Sequence, residues 1–127
     1  MASKDISYIF VDGINLKIEA SLSCIISEED EWFLAECPEL RLIDQGTSPR
    51  EAQQNLTDMI SCALIEAFET GNLGRMLRKL GFRKREIPLK NREIFSRVIK
   101  DVGKYQPLPL DVPLQHHMPG IQLAASG

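Results

Sequence analysis

NLKIEASLSCIIS, residues 15–27, alternates its side chains: Leu16, Ile18, Ala20, Leu22, Cys24 and Ile26 are apolar, with Lys17, Glu19, Ser21 and Ser23 between them. Period two over this length predicts a long β-strand with one face buried, and only Ile25 breaks the pattern. Glu28, Glu29, Asp30 and Glu31 then interrupt it. Burying four carboxylates side by side is too costly, so this cluster predicts a turn. Trp32 to Cys37 restarts an aromatic-rich strand, which Pro38 closes because proline has no backbone N–H to donate. Arg41 to Gln45 predicts a third, short strand, and Gly46 marks the bend out of it. The first two strands are expected to pair as an antiparallel hairpin that the third continues as a meander.

Beyond the bend the sequence predicts a helix from Pro49 to Thr70. Ser48 can cap it, Pro49 suits the first helical position, and Glu51 completes a Ser-x-x-Glu capping box. Ala52, Leu56, Met59, Ile60, Ala63, Leu64, Ala67 and Phe68 recur at spacings of three and four, giving one apolar stripe. Gly71 supplies the stop. The fold class expected from these residues is α+β: a three-stranded antiparallel sheet packed by one long helix, with a basic C-terminal extension. Residues 1–70 form the β-β-β-α domain of this scheme, and residues 71–127 the extension.

The extension is less patterned. Leu73, Met76, Leu77 and Leu80 fit a short helix ending at Gly81, and Glu86 to Leu89 is extended. In Arg92 to Val102, Ile94, Val98 and Val102 lie four apart, which favours a helix. Pro107, Pro109, Pro113 and Pro119 then predict an extended arm that either clasps a neighbouring subunit or lies loose.

The chain has 127 residues, 43% hydrophobic and 26% charged, an ordinary globular composition. No run approaches the ~20 apolar residues of a membrane helix, and Ile9-Phe10-Val11 is too short for a signal-peptide core. A cytoplasmic location is expected. Cys24, Cys37 and Cys62 are widely spaced, form no CxxC pair and lack nearby histidines, so buried, reduced thiols are expected and no metal site. The net charge of −3 conceals a division. Residues 1–70 carry four basic and fourteen acidic side chains, while residues 71–127 carry eleven basic and four acidic. The basic charge concentrates at Arg75, Arg78, Lys79, Arg83, Lys84, Arg85, Lys90 and Arg92. An acidic half suits a basic partner, and a basic half suits phosphate or an acidic surface; both also read as solvated faces.

Little points to catalysis. His116 and His117 are adjacent in the proline-rich arm, where neighbours point opposite ways. Gly71 to Gly74 has neither the spacing nor the Lys-Ser/Thr of a phosphate-cradling loop. Glu36 and Asp44, on neighbouring predicted strands, are the one carboxylate pair with a conceivable magnesium role, and fourteen acidic residues make a chance pair unsurprising. No enzyme activity and no cofactor are expected. Trp32 and Phe33 point to opposite faces of their strand, so one is core and the other at least partly exposed beside the carboxylates, where it can anchor a protein partner; the ordinary alternative is that sheet packing uses both.

Two stretches resemble the HicB family: Glu-Trp-Phe-Leu-Ala-Glu-Cys-Pro-Glu-Leu at 31–40, and Asp-Gln-Gly-Thr-Ser-Pro-Arg-Glu-Ala-Gln-Gln-Asn-Leu at 44–56. Pro38, Leu40, Gly46, Ser48, Glu51, Ala52 and Asn55 fall where that family's pattern expects them. The family's Pro-Gly between the second and third strands is replaced by Arg41-Leu42, and residues 71–127 show no DNA-binding motif. The resemblance covers roughly residues 16–70. It implies a β-β-β-α unit of the partial RNase H type and an antitoxin of a type II pair that neutralises a HicA-like, mRNA-cleaving toxin. Autoregulatory binding to operator DNA is a further implication. Glu28, Glu29, Asp30, Glu31 and Trp32 are the candidate toxin-binding residues. Arg75, Arg78, Lys79, Arg83, Lys84 and Arg85 are the candidate nucleic-acid-binding residues. The competing reading is a stand-alone nucleic-acid-binding module with no toxin partner. One helix leaves the far face of a small sheet uncovered, so the C-terminal half or a second subunit must protect it, and a homodimer is expected.

Overall fold

The computed structural model describes residues 5–85, 87–88, 90–99 and 106–114. It corrects the expected fold. In place of a three-stranded sheet under one helix there is a seven-stranded antiparallel sheet with two helices. The strands are β1 (Asp5–Asp12), β2 (Lys17–Glu29), β3 (Trp32–Cys37), β4 (Leu42–Gly46), β5 (Arg83–Arg85), β6 (Arg92–Ile99) and β7 (Gln106–Pro113). The helices α1 (Pro49–Glu69) and α2 (Leu73–Lys79) lie between β4 and β5 in sequence. The order is β4-β3-β2-β1-β6-β5, with β7 also paired to β2. The predicted β2-β3-β4 meander and α1 are present, but as one part of a larger sheet. The chain divides in charge at residue 70; the sheet does not, because β6 and β7 pair with β1 and β2.

β2 organises the molecule by changing partners along its length. Lys17–Ser21 pairs with β1, Lys17–Cys24 with β7, and Ile25–Glu29 with β3. The registers align Phe95, Ile9, Ala20 and Leu110 in one cross-strand row, and all four are buried. Val11, Ile18 and Val112 form the next row of the same face. This face, with Ala52, Leu56, Ile60, Leu64 and Ile65 of α1 and Leu73 and Leu77 of α2, makes the core.

β6 replaces the expected helix over Arg92–Ile99, and residues 100–102 of that expectation lie outside the described residues. A spacing of four satisfies either period: Ile94 and Val98 share one face of a strand as readily as one face of a helix. Pairing with β1 along its whole length decides for the strand, and Phe95 and Ile99 point into the core. The proline-rich arm is likewise a strand of its own sheet over Gln106–Pro113, with Leu108, Leu110, Val112 and Leu114 buried. Prolines at alternate positions leave its remaining N–H groups for one edge, and β2 takes it. β1 was not anticipated as a strand.

The junction between β4 and α1 forms as its residues dictate. The Ser48 side chain accepts from the Glu51 N–H at 3.1 Å, and the Glu51 carboxylate accepts from the Thr47 N–H at 2.9 Å. Asn55 donates to the Gln45 carbonyl at 2.9 Å, tying the helix to the strand. α1 and α2 each end in a left-handed glycine, Gly71 and Gly81, with the paired backbone hydrogen bonds of a Schellman stop.

Candidate functional site

The acidic run lies at the tip of the β2–β3 hairpin. Glu28 pairs with Phe33 and Glu29 with Trp32, so Asp30 and Glu31 make the turn. Asp30 takes a left-handed backbone, φ 52°, a conformation that aspartate tolerates better than most residues. Among the described residues the ladders with β1 and β7 stop at Ser21 and Cys24, and Ile25–Glu29 pairs with β3. Glu28, Glu29, Asp30 and Glu31 are exposed, and among the described residues none has a hydrogen-bond or ion-pair partner through its side chain. Four like charges held together at one turn make a strong local negative field.

Trp32 and Phe33 divide as the alternation predicts. Phe33 packs against the core, and Trp32 stays 44% exposed on the face it shares with Glu29. An exposed indole beside unpaired carboxylates is the composition of a docking anchor, apolar area with charge around it.

Glu36 and Asp44 do not form a metal site. Asp44 is opposite Ala35, and Glu36 is opposite Ile43, so the two carboxylates leave opposite faces of the sheet. Among the described residues no group of three or more His, Cys, Asp or Glu side chains is placed to hold a metal ion. His116 and His117 lie outside the described residues.

The basic residues gather at the other end of the sheet. Arg75, Arg78 and Lys79 of α2 and Arg83, Lys84 and Arg85 of β5 are all exposed. Arg75, Arg78 and Lys84 line one cleft, and Lys84, Arg85 and Arg92 a second beside it. Lys84 pairs with Glu93 at 2.6 Å, and Arg92 with Asp12 at 3.4 Å. The Asp12 carboxyl sits below its usual range, chiefly because the Asn15 backbone N–H donates to it, with Arg92 adding to the effect.

A third polar group, which local sequence pattern does not reveal, is buried around Glu39. Glu39, in the Pro-Glu-Leu after β3, is 1% exposed. Ser7 and Ser23 donate to one of its oxygens at 2.5 and 2.6 Å, and the Cys37 thiol to the other at 3.6 Å. Arg97 donates to its backbone carbonyl at 3.3 Å. Burial pushes the Cys37 thiol up to about 12 and raises Cys24 as well. These two thiols are buried as expected, but Cys62 is exposed, because α1 turns it away from the core. Every donor around Glu39 is satisfied within the protein, so the cluster anchors the loop between β3 and β4.

Comparisons with protein-family models, curated proteins and solved structures returned no match. Among the described residues no helix is long and apolar enough to cross a membrane.

Proposed function

We propose that this protein binds and neutralises a small basic toxin of the HicA type, acting as an antitoxin rather than as an enzyme. The observation that carries the reading is the hairpin tip, with four exposed carboxylates that have no partner among the described residues and the exposed Trp32. A cationic ribonuclease would meet this field before contact, which speeds association, and Trp32 would supply the apolar anchor. The resemblance in residues 31–56 points to the same class of partner.

The test is co-expression with a candidate small basic toxin, followed by affinity purification at moderate salt. The expected result is relief of growth arrest and a complex of fixed stoichiometry. Replacing Glu28, Glu29, Asp30 and Glu31 by lysine should abolish both while leaving the circular dichroism spectrum unchanged. A complex that survives this charge reversal refutes the hairpin as the docking element.

A further inference from the structure

The cationic clefts of α2 and β5 are not used by the hairpin reading. The two clefts share Phe68, Lys84 and Glu93, so they join into one groove, with volumes of about 880 and 380 Å³. Its rim carries Arg75 and Arg78 from α2, Lys84 and Arg85 from β5, and Arg92 from β6. Glu93 is the one acidic side chain lining it among the described residues, and Lys84 already holds it.

Local structure accounts for part of this charge. Arg78 and Lys79 suit the last turn of a helix, and a basic β5 guards a sheet edge against pairing with other chains. Neither reason covers Arg75. It sits one turn before Arg78 on the same side of a seven-residue helix, where like charges repel. Among the described residues Arg75, Arg78 and Arg85 form no ion pair. The groove therefore concentrates guanidinium groups, whose planar forks suit phosphate oxygens, along an open track too long for a single small anion.

We propose that this groove binds the phosphodiester backbone of a nucleic acid, independently of base sequence. Contacts of this kind go to phosphates and carry no base information, so charge and shape do the recognising. The proposal is independent of the toxin-binding reading, because the groove and the hairpin share no residue.

The experiment is fluorescence anisotropy of the full chain with a mixed-sequence DNA duplex and, separately, single-stranded RNA, from about 50 to about 200 mM salt. Affinity should fall with salt, with a log–log slope for the duplex of about −3 to −4 if Arg75, Arg78, Lys84 and Arg85 each contact a phosphate. Arg75→Gln and Arg85→Gln should each weaken binding to both polymers and reduce the slope by about 1. Arg50→Gln, an exposed position on α1, should leave binding unchanged. Binding by either polymer upholds the proposal, and the tighter one identifies the source of the phosphates. Absent or salt-insensitive binding overturns it, as does a poly-glutamate chain held as tightly as either nucleic acid. Lysine substitutions in the hairpin should not weaken the interaction, so this test and the toxin test fail separately.

Discussion

At the scale of single residues, Gly46 shows a demand for space rather than for an unusual backbone. A Cβ there would meet the Ala52 nitrogen at 2.4 Å, because the strand runs directly against the start of α1. Gly46→Ala should cost about 1–3 kcal/mol, measured by urea unfolding, since backbone must move to make room. The sequence marked Gly46, Ser48 and Glu51 because their partners are a few residues away. Glu39 escaped notice for the opposite reason: its serine donors lie 32 and 16 residues distant. Glu39→Ala should destabilise by about 1–3 kcal/mol, the cost of leaving buried donors unmatched, and Glu39→Gln by less. The thiols give a pH dependence. The folded chain holds the Cys37 proton to about 12, whereas an unfolded chain releases it near 9.0. This contribution is full below about pH 9 and is lost as pH rises towards 12, so denaturant midpoints should fall over that window. Cys37→Ala should flatten the fall. In the native protein a thiol reagent should label Cys62 promptly and leave Cys24 and Cys37 unreacted.

Among the elements, α1 and the β2-β3-β4 meander were legible because each carries its signal locally, in a capping box, a period or a turn. β6 and β7 were not. In β6 the four-residue spacing served both periods, and pairing with β1 resolved it. In β7 the prolines pointed to an extended arm, clasping a neighbour or loose, although Leu108, Leu110 and Val112 already alternated with Pro107, Pro109 and Asp111. Its packing is a large share of the core. Burying a leucine or valine contributes about 1.5–3 kcal/mol, and Leu108, Leu110, Val112 and Leu114 are all buried. Against the about 5–15 kcal/mol that holds a typical domain together, Leu110→Asp should abolish the cooperative thermal transition. Asp111→Asn, one residue on and exposed, should leave it unchanged.

For the whole molecule, the charge division read from the sequence became two sites on one sheet: an acidic hairpin that extends β2 and a basic groove beside the β5 edge. The acidic turn and the run of basic residues were legible in the sequence; that Lys84 and Arg85 would meet Arg92 and Glu93 was not, because it depends on β5 pairing with β6 and β6 with β1. The return of β6 and β7 to β1 and β2 also governs the order of assembly. The β2–β3 hairpin is a local structure of a kind that closes within about 1–10 μs. The β2–β7 ladder joins Lys17 to Pro113, nearly the full span of the described chain, and such distant pairings raise contact order and slow folding. During synthesis the residues of the β2–β3 hairpin are therefore all made before β7, and the flank of β2 that β7 covers stays open until Pro113 has been added. The hairpin can close before the core beside it is sealed.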